Sequence, residues 1–221
     1  MPFLVGVDVG ATNTALLAVD DADAVVVERR LPGAYLPDVG EEAFAQLLAA
    51  VRDVLRDLPA SDLRVVFGLP GHGDITDLTR RHVELLGRLY PDVRHRAYND
   101  VYLALVGAHL GAPGIVALSG TGSMALGRNS AGHLDRLGGL GPILGDEGSA
   151  YAIALHALRV AALANDRRAR ATSLVDATLR HFGVGEVAEV TLQLMNHAQA
   201  RARLASFARE VDACARDGDR A

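Results

Sequence analysis

Hydrophobic residues recur along this chain with two periods, and the order in which the periods alternate predicts an α/β fold. Apolar runs at residues 3–9, 15–19 and 25–27 predict three strands, the first two joined by a turn of Gly, Ala, Thr and Asn. A first strand that leads into a second strand argues against a dinucleotide-binding Rossmann fold, in which a helix would follow. The spacing then predicts, in chain order, a helix over residues 41–58 closed by Pro59, a strand at 63–69, a helix at 76–89, a strand at 93–98 and a helix at 100–110.

The layout of the first half begins again after residue 111. The turn-forming stretch Gly111-Ala112-Pro113-Gly114 is interpreted as a boundary between domains 1–111 and 112–221. Residues 115–126 repeat the strand, small-residue turn and strand of the N-terminus, which indicates two related units, the second without its last strands. From residue 149 onward the pattern is helical. Helix breaks are expected at Asn165-Asp166, at residues 183–185 and at Gln199, and a core stripe at Leu155, Leu158 and Ala162.

Composition narrows the function classes. Hydrophobic residues make up 50% of the chain, charged residues 22%, and the net charge is −5, which argues against nucleic acid or an anionic membrane as the main partner. All 22 basic residues are Arg, so a lysine nucleophile and a P-loop lysine are excluded. Cys214 is the one cysteine, which excludes an internal disulfide and indicates a buried or half-buried thiol. We expect a cytoplasmic protein, because no apolar run reaches the roughly 18 residues of a membrane span and no signal peptide is recognised.

Two turns of small residues are candidate phosphate sites. One follows Asp8 at residues 10–14, and the other spans residues 119–123. Either could be a plain turn, since Gly, Thr and Asn are common turn residues. Because both lie between apolar strands of successive units, they could together bind a triphosphate through backbone amides and hydroxyls, with Asp8 holding Mg²⁺ directly or through water.

Three carboxylates are candidates for binding or deprotonating a substrate hydroxyl. Asp100 opens a helix, where it is either the helix N-cap or a base that takes a proton from a sugar hydroxyl. Asp146 and Glu147 either complement the start of the next helix or, in the case of Asp146, accept hydrogen bonds from a polyol. His72 and His133 are interpreted as surface turn residues, with substrate contact as the alternative for His72. A hydrolase triad is not expected, because Ser119 and Ser123 lack a His/Asp partner nearby.

These motifs resemble those of the N-acetylglucosamine kinase family, a branch of the actin/hexokinase/Hsp70 ATPase superfamily grouped as BadF/BadG/BcrA/BcrD ATPases. In the order and spacing of that family the chain has GVDVGATNT at 6–14, ND at 99–100, SGTGS at 119–123 and GDEGSAY at 145–151. The last two are specific, whereas the first identifies only the superfamily. The resemblance implies an actin-like ATPase (ribonuclease H-like) fold with two domains around a cleft, the second incomplete.

The resemblance also implies ATP and Mg²⁺ as cofactors and a role for each matched residue. Asp8 would lie near Mg²⁺, and Asp100 would be the general base and contact the sugar. The phosphate loops would be Asp8, Gly10, Thr12 and Asn13 in the first turn, with Thr12 and Asn13 nearest the nucleotide, and Gly120, Thr121, Gly122 and Ser123 in the second. The sugar would be bound by Asp146 and Thr121, helped by the backbone of Gly139, Leu140 and Gly141.

The sequence departs from the family pattern in three places. Residues 33–37 lack the Asn that such kinases tend to place near the sugar, and Leu140 stands where several carry Trp. Because both changes lie near the expected sugar site, the expected substrate is not limited to N-acetylglucosamine and includes glucosamine or a related hexose. Family members also continue with a Gly-Gly strand turn that holds the adenosine, and nothing like it precedes Ala221. Either a fragment of a longer chain or a shortened member would explain this.

The first hypothesis is an ATP-dependent sugar kinase, and the alternative is a non-catalytic sugar-binding or regulatory relative that has lost ATP binding through truncation. An ATPase that activates a radical enzyme through a cysteine-held iron–sulfur cluster does not fit a single Cys. The expected partner is a small-molecule sugar, and a homodimer is an option. Neither nucleic acid nor a membrane is expected as a partner.

Overall fold

The computed structural model of the protein describes residues 2–59, 62–195 and 200–221, so the break expected at Gln199 lies outside the described residues. Strands dominate the first half and helices the second. The strands are β1 (Phe3–Val9), β2 (Asn13–Val19), β3 (Val25–Pro32), β4 (Leu63–Leu69), β5 (Arg94–Asn99), β6 (Gly114–Ser119), β7 (Ser123–Arg128) and β8 (Leu134–Gly138). The helices are α1 (Leu36–Val54), α2 (Thr76–Leu89), α3 (Asp100–His109), α4 (Gly141–Leu144), α5 (Ala150–Asn165), α6 (Leu174–Phe182), α7 (Glu189–Met195), α8 (Ala200–Ser206) and α9 (Ala208–Arg216).

The larger sheet has five strands in the order β3-β2-β1-β4-β5. The predicted β1–β2 hairpin is present and antiparallel, while β1 and β5 both pair with β4 in parallel. Side chains alternate across β1, so that Val5, Val7 and Val9 point into the core and Asp8 points to the opposite face. The parallel strands therefore end at one edge of the sheet, and Asp8 lies at that edge.

The core of this region lies between one face of the sheet and helices α1 and α2. Phe44 from α1, Phe67 from β4 and Tyr90, which follows α2, are buried there, and the Tyr90 hydroxyl donates to the carbonyl of Leu48 at 2.6 Å. Helix α3 packs against β1, β4 and β5.

The predicted helix over residues 41–58 is wrong at both ends. Helix α1 begins at Leu36, because Pro37 favours the first turn of a helix, and it passes a kink at Gly40, where φ is 78°. It ends at Val54, where the amide of Leu55 turns back to the carbonyls of Arg52 and Asp53, so Pro59 does not close it.

The second half has its own core, built on α5. The buried positions of that helix are Ala154, Ala157 and Ala161, and they pack with Leu174, Phe182, Leu204 and Phe207. The predicted stripe was therefore displaced by one position, because Leu155 and Leu158 are only partly buried. Cys214 is 8% exposed in this core, which confirms the buried thiol. The remaining strands form a three-stranded sheet in the order β6-β7-β8.

The chain divides into two compact units. The first contains residues up to Val116 together with Leu126–Asp135, and the second contains Ala117–Ala125 together with Arg136–Ala221. The boundary between domains 1–111 and 112–221 stays a prediction. Within the ranges that the structure describes, no helix is both long and apolar enough to cross a bilayer.

Candidate active site

The parallel strands bring Asp8 and Asp100 to the same edge of the large sheet. Asp8 pairs in register with Gly68 of β4, and Asp100 follows directly on β5. Gly68 lies between them, because a Cβ built on it would be 3.1 Å from the Cα of Asp100 and 3.5 Å from Oδ1 of Asp8. Ligands of open α/β sheets bind beyond the carboxyl ends of the strands, which is where these carboxylates lie.

Asn99, and not Asp100, caps helix α3. Its Oδ1 accepts from the amide of Val101 at 2.9 Å, and its Nδ2 donates to Oδ2 of Asp74 at 2.8 Å. The interpretation of Asp100 as the N-cap is therefore wrong. Asp100 is the first residue of the helix, and its carboxylate is not needed for capping.

The carboxyl group of Asp100 has a higher pKa than an ordinary aspartate. Its pKa is raised to about 6, chiefly by desolvation on burial. The charges of Asp8 and Asp74 also raise the pKa, while hydrogen bonds from the backbone amides of Val101 and of Asp100 itself lower it. Desolvation also raises the pKa of Asp8, whose carboxylate is crowded by protein atoms although the residue is exposed overall. A carboxyl group that titrates near neutral pH suits a general base.

The first small-residue turn, Gly10-Ala11-Thr12-Asn13, is held by main-chain hydrogen bonds. Within the turn the Gly10 amide donates to the carbonyl of Asn13 at 2.9 Å. From outside it, the amide of Gly33 donates to the carbonyl of Thr12 at 2.9 Å, and the amide of Ala34 donates to the carbonyl of Gly10 at 3.0 Å. A Cβ on Gly33 would overlap the backbone of Asn13, Gly10 and Thr12, so only glycine fits.

The second small-residue turn, Gly120-Thr121-Gly122, is held by the serine hydroxyls that flank it and by main-chain hydrogen bonds. The amide of Gly120 donates to the carbonyl of Gly122 at 2.8 Å, and the amide of Ala150 donates to the carbonyl of Gly120 at 2.9 Å. The hydroxyl of Ser119 donates to the carbonyl of Gly148 at 2.9 Å, and that of Ser123 donates to the carbonyl of Glu147 at 2.8 Å. Both serine hydroxyls are thus used as structural donors, which agrees with the expectation that neither is a nucleophile.

Asp146 is buried beneath this turn rather than at the start of a helix. It is 3% exposed, its Oδ1 accepts from the amide of Ser123 at 3.2 Å, and its Oδ2 accepts from Nη2 of Arg201 at 2.7 Å. Ser149 is the N-cap of α5, whose first turn holds no acidic residue, so the interpretation of Asp146 and Glu147 as helix-start charges is wrong.

The remaining candidates are placed as follows. Gly139 and Gly141 have positive φ values of 69° and 80°, and Leu140 between them is 57% exposed. His133 is exposed, as expected. His72 lies in a turn, as expected, but it is half-buried, and its ring stacks on the buried ring of His82 with centroids 5.6 Å apart.

Over the described part of the chain, no group of three or more His, Cys, Asp or Glu side chains could hold a metal ion together. Asp8 can still contribute to a Mg²⁺ site, since protein-bound Mg²⁺ usually has one or two carboxylate ligands, several waters and substrate phosphates.

The sequence analysis missed Gly33, Gly68 and Arg201. Gly68 carried a usable signal, since glycine within an apolar strand often marks a close approach of another segment. Arg201 carried none, because it meets Asp146 across 55 positions of the chain.

Comparison with curated proteins supports the resemblance. The chain is 31% identical over 190 residues to the N-acetyl-D-glucosamine kinase of Dictyostelium discoideum, covering 79% of this chain and 59% of that protein. It is 34% identical over 121 residues to the N-acetylmuramic acid/N-acetylglucosamine kinase of Clostridium acetobutylicum, covering 55% of this chain and 40% of that protein. The chain thus spans less than two thirds of the length of these relatives.

Solved structures show the fold. A candidate N-acetylglucosamine kinase from Chromobacterium violaceum superposes with a TM-score of 0.78 at 24% identity, covering 94% of this chain and 73% of that one. A second candidate from Porphyromonas gingivalis gives 0.70 at 20% identity, covering 96% of this chain and 72% of that one. The predicted α/β fold is confirmed, and it is the fold of these two candidate kinases. Since residues 5–221 match the family, the chain belongs to the BadF/BadG/BcrA/BcrD ATPase family.

Proposed function

We propose that this protein is an ATP-dependent sugar kinase that phosphorylates a hydroxyl of N-acetylglucosamine, glucosamine or a related hexose. Two curated relatives bear N-acetylglucosamine kinase names, and the family is one of ATPases. The observation that carries the proposal is Asp100, a carboxylate with a pKa near 6 at the carboxyl edge of the sheet, whose capping duty is taken by Asn99.

Asp100 acts in this proposal as the general base. Its carboxylate accepts the proton of the attacking sugar hydroxyl as the new bond to the γ-phosphorus of ATP forms and the bond to the β-phosphate oxygen breaks. A pKa of about 6 leaves most Asp100 ionised at neutral pH and still basic enough to accept the proton.

The two small-residue turns bind phosphate oxygens in this proposal, with Thr12, Asn13 and Thr121 nearest to them. Asp8 would hold Mg²⁺, which neutralises charge on the phosphates when bound. The donor chemistry fits, because burial raises the pKa of Asp8 and the charge of Asp8 adds to the raised pKa of Asp100, and a cation nearby would favour the ionised form of both.

Asp146 is proposed to accept hydrogen bonds from the sugar, with the backbone of Gly139 to Gly141 beside it. A carboxylate has about four lone-pair directions, and Ser123 and Arg201 use two of those of Asp146. The other directions are the ones that sugar hydroxyls would use.

A coupled kinase assay on a panel of hexoses and amino sugars tests the proposal. Asp100→Asn keeps the size of the side chain and removes the base, so we expect kcat to fall by about 10²- to 10⁴-fold while sugar binding, measured by calorimetry, persists. In the unmodified protein kcat/KM should fall as the pH drops below about 6, the pKa of Asp100.

Asp92→Asn, at an exposed position before β5, is the matched control and should leave kcat unchanged. Normal turnover by Asp100→Asn would overturn the role of Asp100. Sugar binding without any binding of Mg-ATP would favour a non-catalytic sugar-binding protein instead.

A further inference from the structure

A buried ion pair lies directly under the second small-residue turn. Nη2 of Arg201 is 2.7 Å from Oδ2 of Asp146, and the two side chains are 18% and 4% exposed. An ionised carboxylate buried this deeply requires a charged partner, because removing one member of such a pair leaves an uncompensated charge. Arg201 is therefore the charged partner of Asp146 in this position.

The carboxylate of Asp146 links Arg201 to the main chain of the turn. One oxygen faces Arg201, and the other accepts from the amide of Ser123 at 3.2 Å. The backbone of Asp146 is in the left-handed region, with φ at 61°, which non-glycine residues adopt only where their surroundings hold them. The two bonds to its carboxylate provide that constraint.

Gly122 shows how closely the turn rests on the pair. A Cβ built on Gly122 would lie 2.9 Å from Nη2 of Arg201 and 3.0 Å from each carboxylate oxygen of Asp146. The absence of a side chain at this position lets the turn settle directly on the guanidinium–carboxylate pair. Arg201 thus supports the turn, acting through Asp146.

We propose that Arg201 is a positioning residue for the second small-residue turn and for Asp146. Helix α8, which carries Arg201, packs on α5 and buries Leu204 in the same core, so the guanidinium has a rigid base. A guanidinium keeps its charge when it is partly buried, so Arg201 can hold one oxygen of the Asp146 carboxylate while the other accepts from Ser123. The functional part of this inference rests on the proposed sugar kinase activity.

Amide hydrogen exchange, followed by NMR, tests the structural part without any activity. In Arg201→Met the amide of Ser123 should exchange about tenfold faster or more, since its acceptor is no longer fixed. Arg203→Met is the matched control on the same helix, because Arg203 contacts Phe182 and not the turn. Unchanged exchange at Ser123 in Arg201→Met, or an equal rise in Arg203→Met, would overturn the inference.

Kinetics test the functional part. Arg201→Met should lower kcat/KM by about 100-fold, the size expected when reacting groups are displaced by roughly 1 Å, whereas Arg203→Met should stay near the unmodified value. Arg201→Lys should recover part of the loss, because it restores the positive charge but not the planar shape of the guanidinium. No recovery by Arg201→Lys together with an equal loss in Arg203→Met would indicate a general fault in α8 and would overturn the role.

The two tests separate this inference from the proposed function. If the unmodified protein phosphorylates none of the sugars, the kinase proposal fails, while the exchange rate at Ser123 still decides whether Arg201 holds the turn. If the protein is an active kinase and Arg201→Met is fully active, the positioning role fails and the kinase proposal stands.

Discussion

The two small-residue turns resemble each other in sequence and differ in what supports them. The turn after β1 is held by neutral main-chain hydrogen bonds from Gly33 and Ala34. The turn after β6 also has main-chain hydrogen bonds, and it is held in addition by serine hydroxyls and by the ion pair of Asp146 and Arg201. The first turn depends on close steric fit at Gly33, and the second also rests on a charged pair, so a methyl group added to one glycine of each support should have different effects.

The largest effect is expected from Gly33→Ala. The added methyl group would overlap the backbone of Asn13, Gly10 and Thr12, and backbone atoms cannot rotate away as a side chain can. We expect the free energy of unfolding to fall by at least about 3 kcal/mol, as measured by urea denaturation.

Gly6→Ala is the control for this change. Gly6 also lies in the large sheet, and a Cβ there would meet nothing within 4 Å, so stability should change by less than about 0.5 kcal/mol. A similar small change in both variants would mean that the first turn does not depend on the fit of Gly33.

A smaller effect is expected from Gly122→Ala in the second turn. Here the added methyl group meets the ends of the Arg201 and Asp146 side chains, which can shift, although the shift weakens a buried ion pair. We expect a loss of about 2 kcal/mol in the free energy of unfolding. Combining Gly122→Ala with Arg201→Met should cost less than the sum of the two single changes, since both act on one pair.

Gly120→Ala is the matched control within the same turn, because a Cβ there has open space within 4 Å. Its stability should stay near that of the unmodified protein. Equal losses in Gly120→Ala and Gly122→Ala would show that the turn resists any side chain, and the ion pair would not be its support.

The sequence was a good guide to the strands and to the general location of the candidate site. Apolar runs predicted β1 and β4, because a strand that is buried is rich in apolar residues. The edge carrying Asp8 and Asp100 could be anticipated because each carboxylate closes or follows a predicted strand. The ends of α1 were not predicted, because the spacing of apolar residues shows neither that Pro37 opens the helix nor that the backbone turns at Leu55.

The supports of the two turns lay beyond sequence reasoning for a different reason. Gly33 acts through a steric contact with residues 10–13, and Arg201 acts on Asp146 across 55 positions. Neither contact produces a local period or motif. The sequence places Asn99 and Asp100 side by side at the start of α3, and either residue type can cap a helix. The structure assigns the cap to Asn99.

The smallest effect is a loss of stability in mild acid, which we expect from His82 in the unit that carries the first turn. His82 is fully buried, and neither ring nitrogen has a hydrogen-bond partner within the described residues. Burial, with smaller contributions from the charges of His72 and Arg81, lowers its pKa from 6.5 to about 4. The folded state therefore resists protonation that the unfolded chain accepts, so stability is full above pH 6.5 and falls as the pH drops toward 4.

We expect this loss to be on the order of 1 kcal/mol at pH 5, measured by urea denaturation across the pH range. His82→Phe keeps a ring against Phe44 and His72 and removes the titrating group, so most of the decline between pH 6.5 and 4 should disappear. His133→Gln, at an exposed position, should leave the decline unchanged. An unaltered decline in stability in His82→Phe would show that carboxylates, and not His82, cause the acid sensitivity.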